Sequence, residues 1–139
     1  MPEKVFELAL KVRDYECDMD RVVNNAVYLN YLEHARHEFL MELGINFGEL
    51  SKRGISLVVT RVEADFRASL TSGDTFLVHT SLSRKGRIRF QFHQSIYRMP
   101  DKRLMLSAVV TGTALNERGR PEIPPELDRA LGDQNEPSS

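Results

Sequence analysis

The sequence predicts an α+β domain in which one antiparallel sheet of about five strands packs around a single long helix. Three observations carry that expectation. An alternation of apolar and polar residues opens the chain between Phe6 and Arg13, the period of two that marks a half-buried strand. From Tyr28 to Leu43 the apolar residues fall instead at spacings of three and four, the stripe of an amphipathic helix. After Gly54 the period of two returns and persists to Leu115, broken only at short turns. One strand, one helix and then four consecutive strands describe an antiparallel sheet rather than a chain of βαβ units.

Each element has its own signals. Phe6, Leu8, Leu10 and Val12 alternate with Glu7, Ala9, Lys11 and Arg13. The polar run Asp14-Tyr15-Glu16-Cys17-Asp18-Met19-Asp20 then makes a connection. Tyr28, Tyr31, Leu32, Ala35, Phe39 and Leu43 place a helix over residues 25–43, with Asn24 or Asn25 as its N-cap and Gly44 as its stop. Such a helix runs about 28 Å and must lie across a sheet. Val62, Ala64, Phe66, Ala68 and Leu70 form the next strand, ended by Ser72-Gly73. Phe76, Val78, Thr80 and Leu82 follow, then a turn at Gly86, then Ile88, Phe90, Phe92, Gln94 and Ile96. Pro100-Asp101 turns the chain into a last strand over residues 104–115. Residues 121–131 read as a short helical turn, completing a single domain over 1–131. Residues 132–139 contain no apolar side chain and read as a disordered tail.

Composition narrows the function. The 139 residues include one cysteine, Cys17, so no internal disulfide forms and a reducing compartment fits. No cluster has zinc-ligand spacing, so neither metal nor cofactor is expected. A net charge of -1 gives no footprint for nucleic acid or an anionic membrane. Acidic residues interrupt the N-terminus and no run reaches membrane-spanning length, so the expected location is cytoplasmic.

The informative segment is Asp14 to Glu38. Asp18, Val22-Val23, Tyr28, and the helix continuing through Tyr31, Glu33 and Arg36 resemble the hot-dog acyl thioesterases of the 4-hydroxybenzoyl-CoA thioesterase type. The likeness in element order covers residues 5–116. The runs Val12-Arg13-Asp14-Tyr15-Glu16 with Asp18, Val22 to Tyr28, and Arg36-His37-Glu38-Phe39-Leu40 look closer to the plant acyl-carrier-protein thioesterase branch. The chain departs from the type with Asp20-Arg21, where small residues and a glycine are usual, and with Asn24-Asn25, where an aromatic residue and a histidine often stand. The resemblance implies a hot-dog fold and an acyl-CoA or acyl-carrier-protein substrate. It also implies a homodimer or homotetramer with pockets between subunits, and Asp18 as nucleophile or general base.

The chemistry suits these residues. A thioester expels a thiolate whose conjugate acid has a pKa near about 8.5, so no strong general acid is needed. Hydrolysis requires an activated water or a nucleophile, and donors for the oxyanion. A helix N-terminus supplies unpaired N–H groups and a positive dipole end. Asn24, Asn25, Ala26 and Tyr28 are therefore the expected oxyanion and substrate-binding residues, although the asparagines also read simply as caps and Tyr28 as core. Taken alone, Asp18 is a turn or cap residue; the resemblance makes it catalytic. Arg84, Lys85, Arg87 and Arg89 surround a hairpin tip, where they are candidates to meet CoA phosphates or a carrier protein's acidic face. Two other readings compete: a hydratase or dehydratase on the same fold, which needs a histidine beside the helix, and a non-catalytic acyl-CoA-binding module.

Overall fold

The computed structural model describes residues 4–132. Strand β1 (Phe6–Lys11) leads through a single 3-10 turn (Asp14–Glu16) to helix α1 (Asn25–Glu42) and a short helix α2 (Phe47–Lys52). Strands β2 (Ser56–Phe66), β3 (Thr75–Lys85), β4 (Arg89–Met99) and β5 (Arg103–Leu115) follow, then helix α3 (Pro125–Gly132). The sheet order is β1-β3-β4-β5-β2, antiparallel throughout.

That order explains the long helix. β1 and β2, consecutive in the sheet's sequence, occupy opposite edges, so the segment between them must cross the whole sheet. Five strands about 4.8 Å apart span about 19 Å, and 18 helical residues rising about 1.5 Å each reach about 27 Å. The helix buries Tyr28, Tyr31, Leu32, Ala35, Phe39 and Leu40. Against them lie Phe76, Val78, Leu82, Phe92, Ile96, Leu106 and Val110 from the central strands, all on one sheet face. α3 adds Leu127 and Leu131 to the same core near Phe39 and Leu40. The opposite sheet face is small and polar, with His79 bonded to Glu7 and His93 to Ser83. Among the described residues no helix is long and apolar enough to cross a membrane.

The helix begins at Asn25 under an Asn24 cap and ends just before Gly44, whose φ of 84° suits glycine. Three details differ from the sequence expectation. β2 begins at Ser56 and stops at Phe66, so Ala68 and Leu70 lie beyond it. There the N–H groups of both Arg67 and Ala68 converge on the Met105 carbonyl, which breaks the ladder. Helix α2 was not anticipated, because six residues are too few to show a period. Gly132, expected in the tail, closes α3; residues 133–139 lie outside the described part of the chain.

Candidate active site

Asp18 stands on a tight hairpin that runs directly into α1. Its N–H donates to the Val22 carbonyl and its own carbonyl accepts from Arg21, both at 2.9 Å, while Cys17 bridges to Val23. This is a four-residue turn closed by a residue in the left-handed region, a position that favours glycine. Here it is Arg21, with φ of 65°. The Asp18 Oδ1 accepts the Asp20 N–H at 2.9 Å, which fixes the carboxylate over its own turn. The side chain is otherwise exposed.

The hairpin is held from below. Val23 donates to the Leu70 carbonyl at 2.9 Å, and Val22 bridges to Thr71. Asn24 donates to the Glu16 carbonyl at 3.2 Å. The Glu16 carboxylate in turn accepts from the Tyr31 hydroxyl and from the Arg13 N–H, each at 2.7 Å. Burial, and then the Glu16 carboxylate, push the Tyr31 phenol far above its ordinary range, so it stays a donor. Tyr28 is 2% exposed, and its hydroxyl accepts the Leu70 N–H at 2.8 Å. Burial raises its pKa as well. Tyr28 therefore supports the site from within the core rather than presenting a free hydroxyl to it.

At the helix N-terminus the donors divide. Asn24 Oδ1 accepts the Ala26 N–H at 2.9 Å, and Val27 donates to the Asn24 carbonyl. The Asn25 N–H has no partner among the described residues. It is the open donor of the helix end, while the Ala26 N–H is taken by the Asn24 amide.

Between α1, α2 and the edge strand β2 lies a cleft of about 260 Å³. Leu40, Phe47, Leu57, Phe90 and Phe92 form its apolar walls, and Glu33, Arg36 and His37 add charge and polarity. Arg36 is half-buried; it donates to Gln94 Oε1 at 3.1 Å and lies 5.9 Å from the Phe92 ring centre. Sequence reasoning missed Gln94, Phe47 and the cleft itself. The only local signal was the 29-33-36-40 spacing on α1, a second face beside the core stripe.

The structure does not bring the basic residues to Asp18 within one protomer. β3 starts beside the Leu70–Asp74 loop that anchors the Asp18 hairpin and ends at Lys85. Ten strand steps at about 3.3 Å separate the two ends by about 33 Å. Arg84 is also tied down, its Nη2 2.5 Å from Asp128 Oδ1 on α3. Arg87 and Arg89 are exposed at the tip.

Residues 12–131 match the family model described as the thioesterase-like superfamily. The chain belongs to that superfamily. Among its thioesterase-like relatives, the chloroplastic acyl-acyl carrier protein thioesterases ATL2 and ATL3 of Arabidopsis thaliana are 43% and 41% identical to it. The matches cover 89% and 83% of this chain, but 66% and 60% of those longer proteins. The crystal structure of a 1,4-dihydroxy-2-naphthoyl-CoA thioesterase from Synechocystis superimposes with a TM-score of 0.86 at 20% identity, over 96% of this chain and 100% of that one. This thioesterase-like chain thus has the hot-dog fold, with one five-stranded antiparallel sheet packed against helix α1.

Proposed function

We propose that this chain hydrolyses acyl thioesters of CoA or of an acyl carrier protein, with Asp18 as nucleophile or general base. The observation that carries the reading is the exposed Asp18 carboxylate on a pinned hairpin that leads into a helix N-terminus whose Asn25 N–H is open. As base, Asp18 takes a proton from water as the oxygen attacks the thioester carbonyl. As nucleophile, its oxygen forms a mixed anhydride that water then cleaves. In the first route the tetrahedral oxyanion collapses by expelling the thiolate and leaves the free acid; in the second the thiolate is expelled as the anhydride forms, and hydrolysis then releases the free acid and restores the Asp18 carboxylate. The Asn25 N–H and the helix dipole stabilise the oxyanion. The names of the two plant relatives support a thioester substrate.

A homodimer completes the arrangement. β2 is an edge strand with Val59, Val62 and Phe66 exposed along it and Leu29 exposed on α1. Such an edge calls for a partner. Pairing two β2 edges about a two-fold axis sets one protomer's basic hairpin tip at the same end of the joined sheet as the other's Asp18. Sedimentation equilibrium at micromolar concentration reads this directly, and a fully active monomer would overturn it.

The deciding experiment follows thiol release from a panel of acyl-CoA and acyl-carrier-protein thioesters, with wild type and Asp18→Asn. Asparagine keeps the oxygen that caps the Asp20 N–H, so the turn survives while the reacting carboxylate is gone. Turnover is expected to fall at least about a hundredfold. Near-native turnover in folded Asp18→Asn would remove this residue from the mechanism, and no turnover of any thioester by wild type would end the reading.

A further inference from the structure

The α1/β2 cleft contains a charge that the protein itself leaves unfinished. Among the described residues Arg36 has one hydrogen-bonding partner, the neutral oxygen of Gln94. Gln94 is 1% exposed and locked, its amide donating to the Leu32 carbonyl and to Thr80 Oγ1, both at 3.0 Å. Among the described residues no carboxylate reaches ion-pair distance of Arg36. Among the described residues its other N–H groups have no hydrogen-bonding partner, and they are not sealed in the core, so they open into the cleft. Burial lowers its pKa, as for a guanidinium drawn partly out of water, and the nearby Glu33 charge opposes that shift without reaching ion-pair distance. One helical turn away, the Glu33 carboxylate lines the same cleft.

The position matters for what binds there. Arg36 lies 11 residues beyond Asn25, about 17 Å along the helix from the oxyanion donor. Glu33, Arg36 and Leu40 share one face of α1 and line the cleft opposite Leu57, Val58 and Val59 of β2. At that distance only an extended long acyl chain, of about fourteen carbons, has its carbonyl at Asn25 and its far end at Arg36.

We propose that the cleft selects acyl chains ending in a hydroxyl group, bound between Arg36 and Glu33. This names the acyl class of the proposed thioesterase and rests on that reading. A methyl terminus would cover the open Arg36 N–H groups with hydrocarbon and give them no acceptor. A carboxylate terminus would satisfy Arg36 but lie against the Glu33 charge. A hydroxyl accepts from Arg36 and donates to Glu33, using both groups at once. Sites built to bond a substrate hydroxyl discriminate strongly against the analogue that lacks it, because their own polar groups are then left unpaired.

The test compares kcat/KM for plain and ω-hydroxy acyl-CoA thioesters, in matched pairs from octanoyl to hexadecanoyl. Wild type is expected to favour the hydroxylated partner at least about tenfold, at the chain lengths that reach Arg36 and not at the shortest. Arg36→Met should bring the two within about twofold, chiefly by improving the plain substrate. If that variant does not fold, Glu33→Leu, on the exposed side of the cleft, should reduce the preference severalfold. Equal kcat/KM within every pair on wild type, or an undiminished preference in either variant, overturns the proposal. If wild type turns over no thioester, the thioesterase reading fails. Calorimetric affinity for free ω-hydroxy against plain fatty acids then decides the cleft by itself: tighter binding of the hydroxy acids supports it, and equal binding overturns it.

Discussion

The Tyr28 hydroxyl, in the first turn of α1, accepts the backbone N–H of Leu70 at 2.8 Å, while the Leu70 carbonyl accepts from Val23. One residue after β2 thus ties the helix and the Asp18 hairpin together. Tyr28→Phe keeps the ring contacts with Tyr31 and Phe66 but leaves a buried N–H with no acceptor. Unfolding in urea should show a loss of about 1–3 kcal/mol with the slope unchanged. A variant as stable as wild type would mean that the bond contributes nothing.

The Asp18 turn carries its own cost. Arg21 sits at φ of 65°, where a side chain loses about 1–2 kcal/mol relative to glycine, offset in part by glycine's greater freedom in the unfolded chain. Arg21→Gly is therefore expected to stabilise by about 0.5–1 kcal/mol, and Arg21→Val, branched at Cβ, to destabilise by a similar amount or more. Thermal denaturation reads both. A valine variant as stable as the glycine variant would show that the turn is not strained at this position.

What the sequence revealed and what it hid divide along chain distance. α1 was legible because period, the Asn24 cap and Gly44 all agree within the helix's own residues. The end of β2 was not, since Ala68 and Leu70 continue the alternation while their fate is decided by Met105 and by Tyr28, a partner 42 positions away. α2 left one readable mark, Asn46 followed three residues later by Glu49, whose N–H bonds the Asn46 side chain at 3.1 Å. In the candidate site, Asp18 and the helix N-terminus are neighbours in sequence, so one segment suggests both. The pairings of Arg36 with Gln94 and of Arg84 with Asp128 join residues 58 and 44 apart, and no local pattern announces them.

Asn24 separates capping from catalysis. Its Oδ1 holds the Ala26 N–H, and aspartate at the same place keeps that acceptor while adding a negative charge beside the proposed oxyanion position. Asn24→Asp should hold or slightly raise stability, because an acidic cap suits the helix dipole. Turnover should fall by roughly tenfold, since the added charge opposes the developing oxyanion. Asn24→Ala should do the reverse, costing about 1 kcal/mol of stability with a smaller kinetic effect. Unchanged kcat in Asn24→Asp would place the reacting carbonyl away from this helix end.

The basic hairpin tip separates into two parts with different consequences. Arg84 is anchored to Asp128, so Arg84→Ser should loosen α3 and lower the melting temperature while leaving substrate recognition nearly intact. Arg87 and Arg89 are exposed and lie about 33 Å from their own Asp18 hairpin along the strand direction, well beyond the roughly 8 Å over which exposed charges act at physiological ionic strength. In the proposed dimer their influence on substrate would therefore be exerted at the partner protomer's site. Changing both to serine should raise KM for CoA and carrier-protein thioesters severalfold at low salt and leave kcat nearly unchanged. A pantetheine thioester, which lacks the nucleotide phosphates and the protein surface, should be indifferent to the change. Added salt should erase the difference between wild type and variant, because screening weakens the same attraction. Steady-state kinetics across a salt series checks each part, and a wild-type KM on the full-length substrates at low salt would leave the tip as a solvated turn.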